Sequence, residues 1–357
     1  MEEIPARKAD HIDITTSRAV TPDVSPGWGD VELVHCALPE IDLEDVDLGV
    51  DFLGRHLHAP LAIASMTGGH PRAEAINGLL ARAAQEFGLA MGVGSQRAAV
   101  RRPDLLSTYV VARDAAPNAF LIANVGAPQL IPQRGEPALT VDQVAQLVGV
   151  MRADALAIHL NYLQEVVQPE GDTRAAGCLE AIGRVVASVP VPVIAKETGA
   201  GINRVMGRAL TEAGVAALDV GGAGGTSFAL VEAFRAADRG LGGAQRLGET
   251  LGAWGLPTAV SVVQCLGLGV PVIATGGIRS GLDAAKAIAL GADLVSVARP
   301  LMSAALDGYE ALRLYIEEFL ATLRVVLFLT GSRSPRELQA KERVILGRTA
   351  DWLRQLS

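Results

Sequence analysis

Cysteine is scarce in this chain, and its three cysteines stand far apart in the sequence. Cys36, Cys178 and Cys265 form no CxxC pair, and their odd count leaves at least one of them unpaired. This spacing excludes a cysteine-based zinc site and argues against a disulfide framework. We therefore expect free thiols in the reducing environment of the cytoplasm.

Aromatic residues, long apolar runs and excess positive charge are also lacking. Aromatics make up 4% of the chain against 50% hydrophobic residues, so the core must consist of Ala, Val, Leu and Ile, as in buried parallel strands. No apolar run approaches about 18 residues, and the N-terminal MEEIPARKAD contains no apolar signal segment, so we expect neither a membrane span nor export. The net charge of −8 argues against nucleic acid or an anionic membrane as a partner.

What the chain does contain is a regular alternation of short apolar runs with helical patterns. Eight such alternations are the number that closes a barrel, and we predict an α/β fold of the (β/α)8 TIM-barrel type. A doubly wound open sheet is the alternative, but polar residues follow all eight runs rather than gathering at one switch point. The predicted strands are Leu61–Ala64, Ala90–Gly94, Phe120–Val125, Ala155–Leu160, Pro192–Ala195, Ala217–Val220, Pro271–Ala274 and Leu294–Ala298.

Three regions lie outside the regular repeat of a chain that we predict to be one domain over residues 1–357. Residues 1–58 form an N-terminal extension, which we expect to contribute to the substrate site. Residues 223–257 form a connection long enough to be a lid or disordered. Residues 307–357 show the apolar periodicity of closing helices.

The most informative stretch is PVIATGGIRSGLDAAKAIALGADLVSVARPLM, residues 271–302, which reads as strand, glycine turn, helix and strand. Glycine lets backbone approach an anion closely, and a helix N-terminus binds phosphate. The last strands of a barrel use this arrangement for a cofactor phosphate. An ordinary βαβ unit whose glycines only make turns is the alternative, but the second strand also ends in the polar, turn-forming Ala298-Arg299-Pro300.

The predicted strand ends carry hydroxyls, amides, a lysine and glycine loops, with no cluster of Asp, His or Cys at metal-cage spacing. This set suits a flat heteroaromatic cofactor with a phosphate tail better than zinc. Lys196, at the end of the fifth strand, could stabilise the anionic reduced ring of a flavin. A surface lysine or a salt-bridged lysine is the alternative.

Seven motifs in order give the chain a resemblance to a known family. They are RKADHI at 7–12, SMTGG at 65–69, GVGSQR at 92–97, ANVGA at 123–127, HLNYLQE at 159–165, GGAGGTSFA at 221–229 and GGIRSG at 276–281. Together they resemble the flavin-dependent, type 2 isopentenyl-diphosphate isomerases from about Arg7 to Arg333. GGIRSG is shared by many FMN barrels, whereas HLNYLQE with the N-terminal RK and SQR is much more specific. Phe228 stands where that family often has Trp.

The resemblance implies an isomerase that converts isopentenyl diphosphate into dimethylallyl diphosphate, the allylic starter of isoprenoid synthesis, by a 1,3-allylic proton shift. It implies reduced FMN as an acid–base cofactor, NADPH as the reductant and Mg²⁺ on the diphosphate. We expect the proton transfers to involve N5 of the reduced ring and its neighbours. A cytoplasmic homo-oligomer, a tetramer or octamer, is also expected.

The resemblance further implies roles for individual residues. Arg7, Lys8 and Arg97 would bind the diphosphate, and Glu165 would reach Mg²⁺, for which a single carboxylate suffices beside substrate phosphates and waters. The other predicted substrate contacts are Ser95, Gln96, His159, Asn161 and Gln164. The predicted catalytic residues are Gln164, which orients rather than transfers a proton, His159 and His11. FMN would be held by Ser65, Met66, Thr67, Ser95, Asn124, Lys196, Thr226, Gly277, Arg279, Ala298 and Arg299.

Three other functions are weaker. An FMN-dependent 2-hydroxy-acid oxidase needs a histidine base, and the interval 196–277 contains no histidine. A nucleotide dehydrogenase of the inosinate type needs a nucleophilic cysteine in the loop at 221–229, which has none. A flavin-storage protein would not need the RK, SQR and HLNYLQE motifs.

Overall fold

The computed structural model describes residues 4–356, with side chains from Arg7 onward. Its strands are β1 Val31–Leu33, β2 Val50–Phe52, β3 Arg55–Leu57, β4 Leu61–Ile63, β5 Ala90–Gly92, β6 Phe120–Gly126, β7 Ala155–Leu160, β8 Val193–Glu197, β9 Ala217–Asp219, β10 Val272–Thr275, β11 Leu294–Val297 and β12 Arg343–Ile345. Its helices are α1 Ile4–Ser17, α2 Pro71–Phe87, α3 Arg97–Arg101, α4 Ser107–Ala115, α5 Val141–Met151, α6 Tyr162–Val167, α7 Cys178–Val186, α8 Arg204–Glu212, α9 Phe228–Asp238, α10 Gly242–Thr250, α11 Thr258–Cys265, α12 Gly281–Leu290, α13 Arg299–Asp307, α14 Tyr309–Leu329, α15 Pro335–Gln339 and α16 Gly347–Leu356.

Eight parallel strands close into a barrel in the order β10, β11, β4, β5, β6, β7, β8 and β9. The closure is made by the pairing of β11 with β4, in which Ser296 lies opposite Ala62. All eight predicted strands are present, with bounds shifted by no more than two residues. The predicted TIM barrel is confirmed, and the open-sheet alternative is wrong because no strand of the described barrel has a free edge.

The amino-terminal end of the barrel is filled by small side chains and closed by a hairpin. Alanines such as Ala62 and Ala155 point into this end together with Phe52 and Leu57 of the antiparallel hairpin β2–β3. The rings of Phe52 and Phe120 meet edge to face, with their centroids 5.8 Å apart. With this end plugged by apolar packing, a binding site can form only at the carboxyl-terminal end.

The N-terminal extension forms more regular structure than its polar sequence suggests. Helix α1 contacts α9 and α13, and its Ile12 and Ile14 are buried. Tertiary contact of one narrow apolar stripe is enough to hold such a helix, since packing contributes more than propensity. Farther along, β1 pairs antiparallel with β12, which ties the extension to the C-terminal region.

The segment 223–257 differs from its prediction. It contains α9 and α10, which pack closely on each other, so the expectation of a disordered connection is wrong. A lid function for this segment stays a prediction. The region 307–357 contains the closing helices α14, α15 and α16, with β12 between the last two.

Candidate active site

A cavity of about 560 Å³ lies at the carboxyl-terminal end of the barrel, and α1 contributes to its wall. Every predicted site residue except Gln96 lines it. Gln96 is fully buried behind the wall, where its Oε1 accepts the N–H of Asn124 at 3.0 Å and its N–H donates to the carbonyl of Asn124 at 2.8 Å. The structure therefore places Gln96 as a support for the end of β6 rather than on the cavity surface.

One end of the cavity is a glycine cradle built after β9 and β10. Gly276 and Gly277 have φ of 123° and 66°, a region that side chains rarely adopt. A Cβ on Gly276 would lie 2.3 Å from the carbonyl oxygen of Gly222, and a Cβ on Gly225 would lie 2.8 Å from the nitrogen of Gly277. The two loops therefore approach each other more closely than any other residue type would allow, which leaves backbone N–H groups accessible at the wall.

Two arginines and a helix N-terminus adjoin this cradle. The guanidinium of Arg279 donates to the carbonyl of Gly224 at 3.4 Å, and that of Arg299 to the hydroxyl of Thr21 at 3.1 Å. Arg299 and Pro300 begin α13, whose first N–H groups have no partner within the helix. Positive charge, free N–H groups and a dipole of the right sign together fit a phosphate.

The middle of the cavity presents Lys196, from the end of β8. Its Nζ donates to the carbonyl of Glu197 at 2.9 Å and lies 3.8 Å from Oδ2 of Asp219. The Glu197 carboxylate accepts N–H groups of residues 199–201, the longest at 3.0 Å, while burial raises the pKa of this carboxyl to about 7. Burial likewise raises the pKa of the Asp219 carboxyl, against the pull of Lys196.

The loops after β4, β5 and β6 complete this side with the predicted flavin contacts Ser65, Met66, Thr67, Ser95 and Asn124. The hydroxyl of Thr67 is buried and has no hydrogen-bond partner among the described residues. Buried polar groups are nearly always paired, so an unpaired hydroxyl on a cavity wall indicates a ligand that would pair it. This hydroxyl, the glycine cradle and Lys196 all fit FMN.

The cavity wall also carries the cations predicted to bind the diphosphate. Lys8 of α1 donates to the carbonyl of Ser95 at 3.3 Å, and burial together with the Arg7 guanidinium lowers the pKa of Lys8 to about 7. Arg97 is largely buried and forms an ion pair with Asp172. Three cations held this close without three counter-charges favour an incoming polyanion.

His159, at the end of β7, is held as a neutral imidazole. Its Nδ1 lies 2.9 Å from Oδ1 of Asn124, which fixes the ring orientation. Burial, then the charges of Lys196 and Lys8, lowers the pKa of His159 to about 3. Because the amide nitrogen of Asn124 donates to the carbonyl of Val93, its oxygen accepts from Nδ1–H of His159, and the neutral ring leaves Nε2 as a hydrogen-bond acceptor.

Glu165 lies beside the cation cluster on α6. Its Oε1 accepts from the amide of Asn161 at 2.9 Å, and its Oε2 from the N–H of Asp172 at 2.8 Å. Burial raises the pKa of Glu165. Across residues 4–356 there is no grouping of three or more His, Cys, Asp or Glu that could hold a metal ion, so a cation here would depend on substrate oxygens.

Sequence reasoning missed the carboxylate that organises the catalytic candidates. Glu232 of α9 is fully buried, and its Oε1 lies 2.8 Å both from Nε2 of His11 and from Nε2 of Gln164. Burial alone would raise the pKa of Glu232, but His11, Gln164 and Arg235 outweigh it and hold that pKa at about 2. A charged pair, Glu232 and Arg235, within the otherwise apolar stretch FALVEAFRAA at 228–237 was the signal that could have revealed it.

Gln168 and Asp219 were also missed. When its amide nitrogen faces Glu232, Gln168 donates to that carboxylate at 3.2 Å and accepts from Arg7 at 2.9 Å, which is the orientation that pairs both atoms. Asp219 is the one charged residue in the apolar run at 215–220, a position where a charge is costly unless it serves a purpose.

Comparison with known proteins places this site in a family. The family model described as FMN-dependent dehydrogenase matches residues 2–344. The isopentenyl-diphosphate delta-isomerase of Methanoregula boonei is 49% identical over 98% of this chain and 96% of its own length, and that of Archaeoglobus fulgidus is 48% identical over 97% of each. The chain therefore belongs to the FMN-dependent dehydrogenase family and, within it, to the isopentenyl-diphosphate delta-isomerases.

Solved structures agree with the fold. A mandelate oxidase variant carrying a monooxide FMN adduct superposes with a TM-score of 0.64 at 19% identity, covering 94% of this chain and 95% of the oxidase. At that identity the likeness concerns the fold alone. Within the part of the chain described here, no helix combines the length and apolarity needed to cross a bilayer.

Proposed function

We propose that this chain isomerises isopentenyl diphosphate to dimethylallyl diphosphate, a step of isoprenoid biosynthesis. The observation that carries the proposal is that one cavity joins a flavin-type phosphate cradle at Gly276 and Gly277 to a separate cation cluster at Arg7, Lys8 and Arg97. A flavin enzyme acting on a small uncharged or carboxylate substrate would not need the second cluster. The identity to curated isomerases over nearly the whole chain supports the same function.

Different residues of the cavity would bind the cofactor, the diphosphate and the metal ion. FMN would lie between the cradle and Lys196, and in its reduced form it supplies an electron-rich ring with exchangeable protons beside the substrate. Arg7 and Arg97 would bind diphosphate oxygens through paired N–H groups, and Lys8 would add a point charge. Glu165 would hold Mg²⁺, which would neutralise the diphosphate further.

The side chains predicted to lie around the reacting carbons are suited to orienting the substrate rather than to exchanging protons with it. Gln164 has no useful pKa, and its amide is fixed by Glu232 and Asn161, so it would orient the substrate. Neutral His159, whose Nδ1–H donates to Oδ1 of Asn124, would contact the substrate through Nε2 as a hydrogen-bond acceptor. Helix α1 contributes to the cavity wall, where it would help to exclude water from a cation-like carbon during proton transfer.

The runner-up is an oxidase of the 2-hydroxy-acid type. The histidines on the described wall of the cavity are His11 and His159, and His159 has a pKa of about 3, far too low for a general base at neutral pH. His11 is bound to Glu232. The site therefore favours the isomerase.

We further propose that NADPH is the reductant that primes FMN and that the enzyme works as a cytoplasmic homo-oligomer, a tetramer or octamer. Several large apolar side chains are well exposed on the protein surface, including Leu38, Val205 and Trp254. Contact between copies would cover such residues.

The test is an anaerobic assay with FMN, Mg²⁺ and isopentenyl diphosphate, with and without NADPH, in which acid-labile allylic diphosphate is counted over time. We expect product only with reduced flavin, at far less than one NADPH per turnover. Arg97→Met should lose turnover and keep its flavin, whereas Arg101→Met, on a surface arginine paired with Glu136, should change neither. Bound, reducible flavin without any product would contradict the proposal and favour an oxidoreductase.

A further inference from the structure

One buried carboxylate in the barrel has no role in the chemistry described so far. Asp219 is the last residue of β9 and is 4% exposed. Its Oδ1 has no hydrogen-bond partner among the described residues, and its Oδ2 lies 3.8 Å from Nζ of Lys196. Burying a carboxylate with one oxygen unpaired lowers the stability of the fold. We therefore expect Asp219 to have a function that offsets this cost.

The surroundings of Asp219 show that the lysine is its principal partner. A second, small cavity of about 10 Å³ lies inside the barrel, with Ser65, Lys196, Asp219 and Ser296 as its polar lining and apolar side chains elsewhere. That volume holds at most one water, which could bridge the carboxylate and the ammonium. Among the groups that lower the pKa of the Asp219 carboxyl, Lys196 acts most strongly, ahead of the Thr275 side chain and the Gly221 backbone, and the lining of this inner cavity includes no second cation.

Lys196 belongs to both cavities, whereas Asp219 belongs only to the inner one. The lysine therefore separates the carboxylate from the space in which FMN would bind. The other charged or titratable groups near Lys196 are Glu197, whose carboxylate is engaged by three backbone N–H groups, His159, which is neutral, and Lys8 across the cavity.

We propose that Asp219 is a positioning residue that acts on the flavin through Lys196: it is the buried counter-ion that holds the ammonium at the cavity wall and offsets part of the positive charge that the flavin experiences. This inference rests on the FMN site of the proposed function and adds a residue that sets the electrostatics of that site. A bare lysine would favour the anionic reduced flavin, and a lysine with an adjacent carboxylate favours it less.

The test measures the flavin itself, without substrate. FMN-loaded Asp219→Asn should have a lower N1 pKa of the reduced flavin and a more positive midpoint potential than the unmodified protein, because the lysine's charge is no longer offset. The ratio of anionic to neutral reduced flavin at fixed pH rises about tenfold for each unit by which that pKa falls. Lys196→Met should shift both quantities in the opposite direction.

The double variant, which carries both substitutions, shows whether Asp219 affects the flavin through Lys196 or independently of it. In Lys196→Met, burial raises the pKa of the Asp219 carboxyl without the opposing lysine, so this carboxyl should be protonated and neutral. Adding Asp219→Asn to Lys196→Met should then change neither the flavin pKa nor its potential. Asp293→Asn is the matched control, since this carboxylate accepts the N–H of Val272 at the start of β10, at the opposite end of the barrel, and it should leave the flavin unchanged.

An unchanged flavin in Asp219→Asn, or an equal shift with and without Lys196, would overturn the inference. Should Asp219→Asn not fold, Asp219→Ser removes the same charge with a smaller side chain and carries the same expectation. Failure of the proposed function is distinguishable, because it would be seen as absent isomerisation by the unmodified protein, whereas these measurements need only bound FMN.

Discussion

The amide nitrogen of Gln164 donates to Oε1 of Glu232 at 2.8 Å, and its amide oxygen accepts from the amide of Asn161 at 3.2 Å. Both ends of the Gln164 amide are therefore fixed, and their assignment follows from the partners, because a carboxylate accepts only. The side chain predicted to lie beside the reacting carbons is thus preorganised by a carboxylate that does not itself line the cavity.

Glu232→Gln should weaken both the catalytic arrangement and the fold. The amide removes the charge that Arg235 and His11 contact and introduces a donor opposite the donor of Gln164. We expect a loss of about 1–3 kcal/mol in unfolding free energy and a drop in turnover of about tenfold or more, since 1.4 kcal/mol of misorientation corresponds to a factor of ten. Urea denaturation and steady-state kinetics measure the two effects.

Glu170→Gln provides the control for that experiment. Glu170 contacts the same Arg235, but its side chain is 35% exposed and does not reach the cavity. Glu170→Gln should lower the free energy of unfolding by less than about 1 kcal/mol and leave turnover nearly unchanged. Equal losses in both variants would mean that the cluster around Arg235 stabilises the fold without orienting Gln164.

The barrel was predictable because its signal is local, whereas parts of the site depend on long-range contacts. Buried parallel strands are short apolar runs that end in glycine or polar residues, and Lys196 and Gly277 were found from that position alone. Helix α1 could not be predicted because its sequence is polar except for the few apolar residues that contact α9 and α13. Glu232 lies inside a helix, and only the folded chain shows that it meets His11 and Gln164.

Catalytic efficiency should fall as pH rises through about 7 because Lys8 then loses its proton. Its pKa in the free protein is about 7, so the protonated form that attracts a diphosphate dominates below this pH and decreases about tenfold per unit above it. kcat/KM, which reports the free enzyme, should decline with a slope of one on the alkaline side.

Lys8→Arg should remove that decline, because a guanidinium stays protonated throughout the range. Ionisation of the substrate is common to both enzymes and cancels in the comparison. The measurement is the pH profile of kcat/KM for each enzyme between pH 6 and about 9. An identical alkaline decline in Lys8→Arg would show that another group is responsible.

Asp172→Asn should impair substrate binding without loss of flavin. Asp172 forms an ion pair with Arg97 through its carboxylate and donates its backbone N–H to Glu165, so it positions both a predicted diphosphate ligand and the predicted Mg²⁺ ligand. Loss of the charge frees Arg97 but keeps the backbone contact. We expect KM to rise about tenfold, equivalent to about 1.4 kcal/mol, with unchanged flavin content.

The control for this change is Asp104→Asn, in an exposed pair with Arg102 that does not line the cavity. It should leave KM unchanged. A normal KM in Asp172→Asn, or loss of its flavin, would contradict a positioning role at the diphosphate end.

Gly276→Ala should abolish flavin binding. A Cβ there would lie 2.3 Å from the carbonyl oxygen of Gly222 and 2.5 Å from Oγ1 of Thr258, so the two loops of the cradle would have to separate. Gly269→Ala separates this effect from backbone strain, since Gly269 also has positive φ, 84°, but has open space around its Cβ position. Gly269→Ala should lower the free energy of unfolding by about 1–2 kcal/mol and keep its flavin. The ratio of flavin to protein absorbance after purification measures both, and a yellow Gly276→Ala protein would argue against the cradle.

Thr67→Val should have opposite effects on the empty and the FMN-loaded protein. The hydroxyl of Thr67 is buried without a partner, so replacing it by a methyl group of similar size should leave the flavin-free protein as stable or slightly more stable. If FMN pairs this hydroxyl, the same change should weaken FMN binding by about 0.5–1.5 kcal/mol, or about two- to tenfold.

Thr108→Val is the matched comparison because its hydroxyl is equally buried but fully bonded. It accepts the N–H of Gly69 at 2.9 Å and donates to the carbonyl of Leu105 at 2.7 Å. This variant should destabilise the flavin-free protein by about 1–3 kcal/mol, since it leaves buried backbone groups unpaired. Denaturation of flavin-free protein and FMN titration distinguish the two threonines. If Thr67→Val instead destabilised the empty protein and bound FMN normally, the Thr67 hydroxyl would serve the fold, and the cofactor would have to be held by the cradle and Lys196 without it.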